Sequence, residues 1–410
     1  MCPADSPCCV DAPRISELME IEIPTFANFL RSTPGDLLRT YFIRSEIALP
    51  PEVPWSGPAP ALGASLKTMI EAMDMEVQAR VMSDADRVGA MADEPGDAAF
   101  FAVTKQAATL DQLPNSYARA VWLLLNAPAD FEHAEQVRYA DDRRYGRMWE
   151  AFVCEPGCTV AREGQTAEAF KRAIGERFGS RNVEIEVCNR FRPRLEKAEA
   201  ELVQVAIYRE GRTGERKAFV NGRLDRLPDR PVIEAAITYE AANGSIEVVA
   251  TARETREDLV RLFAEHLLGT GFQGERLRVR QYSLNHLCKP FTFPTEPADN
   301  IEDVRVTSLR LMPLDTTGER VTLECMRGAK RNIWSMANSR FHEQDPLQSG
   351  YGVTQARFTI KFRTVPGARG GRTLPVTISM PKGCDLKDRT DRERLIGEKY
   401  LRRWSMLRDV

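Results

Sequence analysis

The spacing of apolar residues changes from about 3.6 to about 2 partway along this chain, and that change limits what it can fold into. Between Ser65 and Met91, Leu66, Met69, Ile70, Met73, Val77, Val81 and Met82 recur three or four apart, which is one stripe of a helix. From Val183 the pattern alternates instead: Val183, Ile185 and Val187, then Val203, Val205 and Ile207, then a short Ala218 to Val220 ending at Asn221-Gly222, then Ile233 to Tyr239 and Ile246 to Ala250. Side chains two apart on a strand share a face, so these runs read as half-buried strands. Helices first and sheet afterwards predict an α+β multidomain protein.

Within the helical part, Thr33-Pro34-Gly35-Asp36 has a capping threonine and a proline at the first helical position, opening a helix through Leu37, Leu38, Tyr41 and Phe42. Ala120 to Leu125 is apolar all round and suits the centre of a core. After a flexible tail over 1–14, residues 15–152 read as an acidic, all-helical domain. Its last stretch, 134–152 with Tyr139 to Tyr145 and then Arg147 to Trp149, mixes acids, arginines and aromatics; it reads as a helix with charges paired at i, i+3 or i, i+4, the alternative being an active edge.

Residues 160–288 predict a central antiparallel sheet flanked by helices. Thr166 to Phe178 is a helix stopped by Gly179, and Asn243-Gly244 between two alternating runs is a strong hairpin signal. Connections here are too short for parallel crossovers. The prolines of 289–300 suggest an extended linker, and 301–410 a basic α+β domain with a long hairpin. There Val304 and Val306 fall out of phase with Leu309 and Leu311, which calls for a bulge near Thr307-Ser308. Ala356, Phe358, Ile360 and Phe362 form one hairpin strand, and Leu374, Val376, Ile378 and Met380 the other, joined by the glycine-rich loop Pro366 to Arg372. Thr390-Asp-Arg-Glu393 is a capping box for the last helix.

No apolar run is long enough for a membrane span, and the first residues lack a secretion signal, so the expectation is a cytoplasmic chain with no membrane partner. Nine scattered cysteines, an odd number, read as reduced and mostly buried thiols.

Signatures of chemistry are sparse. The glycines at 367, 370 and 371 join two strands rather than a strand and a helix, so they make no phosphate-binding loop. Cys154 and Cys158 could pair with His286 and Cys288 on zinc, but ligands one residue apart point to opposite sides of a strand, and no metal or cofactor is assigned. Asp315 and Glu324 flank a turn, as in a magnesium-dependent nuclease, yet Met326 occupies the place of the usual lysine. No catalytic residue is assigned.

Charge is the remaining signal. Residues 1–150 carry a net −10, residues 151–300 are neutral, and residues 301–410 carry +8. The basic end should attract polyanions, and the acidic end a protein partner or another copy of the chain. The leading expectation is a nucleic-acid-associated regulatory or accessory protein that binds DNA or RNA phosphates through Arg357, Lys361, Arg363, Arg369, Arg372, Arg402 and Arg403. The alternatives are a protein–protein scaffold subunit and the metal-dependent nuclease.

Overall fold

The computed structural model describes residues 24–193, 199–277, 281–315, 318–326, 328–348, 350–364, 371–380 and 383–408. The expected tail over 1–14, and Arg369 with its neighbours at 365–370, lie outside the described residues. The chain divides into two compact units, the first of residues 24–97 and 106–131, the second of 98–105 and everything from 132 onward. The architecture is α+β, and among the described residues no helix is long and apolar enough to cross a membrane.

Helices α1 (Pro24–Ser32), α2 (Gly35–Arg44), α3 (Ala59–Glu71), α4 (Met75–Met91), α5 (Glu94–Val103), α6 (Ala107–Leu110) and α7 (Ser116–Asn126) build the first unit, with the end of α5 belonging to the second. Their apolar stripes meet in a core where Phe29, Leu38, Phe42, Leu66, Ile70, Val81, Val88 and Val121 are fully buried. The periodic run 65–91 is two helices, because the Asp74 carboxylate accepts the Val77 amide at 2.9 Å and begins α4. Thr33 does not cap α2; its hydroxyl is buried without a partner.

The second unit contains α8 (Pro128–Asp142) from Glu132 onward, α9 (Gly164–Phe178) and α10 (Glu254–Phe263), the last continuing as a π turn over Ala264–Leu268. Strands β1 (Trp149–Val153), β2 (Val183–Arg192), β3 (Ala200–Glu210), β4 (Gly214–Val220), β5 (Arg223–Asp229), β6 (Val232–Glu240) and β7 (Ser245–Ala250) accompany them. Five of these form one antiparallel sheet in the order β1-β7-β6-β3-β2, while β4 and β5 pair only with each other. One face is covered by α9 and α10, whose Phe170, Ile174 and Phe263 meet Val205, Ile207, Ile237 and Val248. The β6–β7 hairpin turns where expected. Gly244 there has φ +70, and a Cβ on it would meet the Cys154 carbonyl oxygen at 2.1 Å.

Further on lie β8 (Gln281–Tyr282), β9 (Ile301–Pro313), β10 (Val321–Glu324), β11 (Tyr351–Phe362), β12 (Thr373–Ser379), β13 (Gly383–Cys384), β14 (Leu407–Arg408), α11 (Ile333–Phe341) and α12 (Asp391–Arg403). A second antiparallel sheet runs β10-β9-β11-β12-β13, and β8 pairs with β14. The predicted hairpin is therefore the middle of a sheet. Its register against β9 slips between Arg357 and Phe358, where Thr307 is the extra residue, so the bulge inferred from the phase change is present. Ala356, Phe358 and Ile360 are fully buried against Tyr400, Leu401 and Trp404.

The expected linker packs on this core: residues 290–296 have no regular structure and lead into a 3-10 turn over Pro297–Asp299. Phe293 meets Trp404 edge to face at 4.9 Å, the Tyr400 hydroxyl donates to Asp299 at 2.6 Å, and Lys399 bonds Glu296 and Asp299 at 2.6 and 2.8 Å. Trp404 thus joins strand, helix and this segment. Trp404→Ala should cost about 3–5 kcal/mol and lower the urea midpoint followed by far-UV circular dichroism; an unchanged midpoint would contradict this packing.

Candidate functional site

The buried alternation of β11 leaves Arg357, Thr359 and Lys361 on the sheet face turned away from α12, and Arg363 continues their row just past the strand. Arg357 and Arg363 are exposed and have no acidic partner among the described residues. Lys361, between them, bonds Glu302 at 2.8 Å, with both side chains nearly half exposed. The other expected cations lie elsewhere. Arg372 bonds Glu393 at 2.8 Å near the start of α12, Arg402 approaches Glu398 at 3.6 Å, and Arg403 donates to Glu296. Arg357, Lys361 and Arg363 therefore form one row, while Arg372 and the Arg402–Arg403 pair sit toward opposite ends of a helix on the other face.

The candidate metal ligands are not brought together. Glu324 lies opposite Ser308, whereas Asp315 is seven residues farther along the β9 direction, on the order of 20 Å at strand rise. Cys154 and Cys158 belong to the middle-sheet core, and Cys288 packs on the C-terminal one. His286 meets Phe291 edge to face at 4.9 Å, and burial pushes its pKa down. All six described cysteines are free thiols, four of them buried.

Sequence reasoning missed a cluster of buried charges. On the middle-sheet face away from α9 and α10, β2 contributes Arg190 and Arg192, β3 Gln204 and β7 Glu247, since these positions alternate with the residues of the apolar face. Arg144, just past α8, grips Glu247 with two bonds of 2.8 and 2.6 Å. Arg192 bonds Glu247 at 3.0 Å and Asp141 at 3.2 Å; Arg190, only 1% exposed, bonds Gln204 at 2.8 Å and also donates to Asp141.

Burial by itself would raise the Asp141 and Glu247 pKa values. The attraction of Arg190 and Arg192 for Asp141, and of Arg144 and Arg192 for Glu247, overrides it and holds both carboxyls well below their ordinary range. Acids locked in the charged form cannot shuttle protons near neutral pH, so the cluster is a fastener. The expected helical pairing within 139–149 gives way to these cross-element bonds, and Arg138–Asp142 at 3.4 Å is an i, i+4 pair just before them. The alternation of Arg190 and Arg192 on a strand was the available signal.

Two further features belong to the same unit. A cleft of about 440 Å³ between α8 and the sheet is lined by Glu132, Glu135, Glu186 and Glu234, a surface hostile to phosphates. The β4–β5 ribbon, by contrast, exposes every residue of Gly214–Arg226 except the half-buried Ala218. No protein-family model matches the chain and no curated protein resembles it significantly, so no relative supplies a role for any of these residues.

Because Asp141 and Glu247 titrate lower when folded than when unfolded, their stabilisation is complete above the unfolded pKa, about 4, and shrinks as pH falls from there toward the folded values. Glu247→Gln leaves Arg144 and Arg192 undercompensated and should cost about 3–5 kcal/mol at neutral pH. In thermal melts, the gap between wild type and variant should be constant above about pH 5 and narrow below about pH 4. A gap independent of pH would show that Glu247 is not held ionised by its arginines.

Proposed function

We propose that this is a nucleic-acid-associated protein of accessory or regulatory type that holds phosphates on the outer face of its C-terminal sheet. The observation that carries the reading is the row on β11. Among the described residues Arg357 and Arg363 have no acidic partner, and the partly exposed Lys361–Glu302 pair contributes at most about 1 kcal/mol, so a phosphate can replace Glu302 at little cost. Donors lie alongside: Thr377 is opposite Arg357 and Thr373 opposite Lys361 on β12. Phosphate contacts of this kind position a protein without reading sequence, which fits an accessory role.

Within this reading the expected set of seven narrows. Arg372, Arg402 and Arg403 already have carboxylates and serve the packing of α12, while Arg369 adjoins the row in sequence. The protein is then a cytoplasmic binding protein with no catalytic step and no cofactor, and the acidic first unit meets a protein rather than nucleic acid.

Fluorescence anisotropy with labelled duplex DNA and RNA, from about 50 to 300 mM salt, tests it. The logarithm of affinity should fall linearly with that of salt, and Arg357→Ala with Arg363→Ala should reduce the slope by about 2. An unchanged slope in the double variant would overturn this site.

A further inference from the structure

The β4–β5 ribbon extends the β3–β6 pair beyond the middle sheet. Glu210 is opposite Val232 at the last register position of the sheet, and Gly211 donates to the Pro231 carbonyl at 2.8 Å before the ribbon starts. Each ribbon strand has seven residues, which gives an arm about 23 Å long. Two strands alone are marginally stable in water. Nothing in the described structure covers this pair, yet its sequence puts large apolar side chains at the tip: Phe219, 77% exposed, stands opposite Leu224, 59% exposed.

Directly behind that pair, on the same side, Lys217 stands opposite Arg226. Like charges opposed across strands destabilise a ribbon, so this placement calls for an anion. Relief from within is slight: Arg226 approaches Glu215 at 3.4 Å, but both side chains are more than half exposed. Between residues 212 and 230 the chain carries six cations and three acids, and Arg216, Lys217 and Arg223 have no acidic partner among the described residues.

We infer that this ribbon is an arm that enters a groove of duplex DNA, with Lys217 and Arg226 on phosphates and the Phe219–Leu224 tip wedged against a base step. The inference rests on the nucleic-acid reading above and names its substrate as a duplex. The grooves of B-form DNA admit a two-stranded ribbon, and apolar wedges at base steps are an established means of kinking a duplex. An A-form RNA helix has a major groove too narrow for such an arm. Self-association through the tip is disfavoured by the same cations, because a two-fold contact would set each Lys217–Arg226 pair against its own copy.

The test uses the full chain and a duplex with 2-aminopurine at a central TA step, a step that unstacks easily. Wild type should raise the 2-aminopurine fluorescence on binding. Phe219→Ala with Leu224→Ala should abolish that rise and weaken binding by at least about tenfold while leaving the salt slope intact, and Lys217→Ala with Arg226→Ala should lower the slope by about 2. The tip side chains are exposed and belong to neither sheet's core, so these variants keep the fold. Binding and fluorescence unchanged by the tip variant would overturn the arm alone, provided Arg357→Ala with Arg363→Ala still reduces the slope. Absence of all binding by wild type would overturn the arm and the parent reading together. Preferential binding of single-stranded RNA, or a tip-dependent doubling of mass without nucleic acid, would overturn the duplex assignment.

Discussion

The middle sheet has one face closed by hydrocarbon and the other by charge, and the position of α8 depends on the second. The apolar patch there is small: Ala140, Ala236 and Val249 form its buried part, with Tyr139, Met148 and Trp149 at its edge. Three guanidiniums and two carboxylates do the rest, in a geometry that admits few alternatives because Arg144 grips Glu247 through two bonds and Arg192 spans both acids. Such clusters contribute less net stability than their bond count suggests, since desolvation offsets the attraction. Removing one member is costly all the same. The cluster therefore acts to specify one placement of α8 and the following segment on β2 and β7.

The same sheet also carries the arm. β3 and β6 are central in the sheet, and beyond Glu210 and Val232 they continue as the exposed ribbon. A ribbon with no packing of its own takes its direction from the strands that carry it, so fixing the sheet aims the arm. The C-terminal sheet follows a related plan. Phe358 and Ile360 anchor β11 from below through Trp404 and Tyr400, and the same alternation presents Arg357 and Lys361 above. In both places burial on one side positions exposed cations on the other.

Much of this was legible in the sequence where the signal is local. Period-two runs located β2, β3, β6, β7, β11 and β12; the phase change marked the Thr307 bulge; and Thr390 does cap α12, accepting the Glu393 amide at 3.3 Å. Interactions between distant positions were not legible. Asp141 and Arg190 are 49 residues apart and Arg144 and Glu247 are 103 apart, so composition and spacing give no hint of their meeting. Likewise a count of arginines near the C-terminus cannot reveal that Arg403 reaches Glu296, 107 positions earlier. The ribbon was only partly legible, for the opposite reason. Among the described residues it has no covering element and so needs no alternating apolar face, and only Ala218 to Val220, ending at Asn221-Gly222, read as a strand.

Photo-cross-linking of the full chain to a bromodeoxyuridine-substituted duplex, followed by mass spectrometry, addresses the central claim most directly, since it asks which residues lie against the bases and backbone. Adducts should fall on the peptide containing Phe219 and on the peptide spanning Arg357 to Arg363, with none from the glutamate-lined cleft or the acidic helices. Adducts confined to those acidic surfaces, or absent under conditions where binding is saturated, would contradict the account.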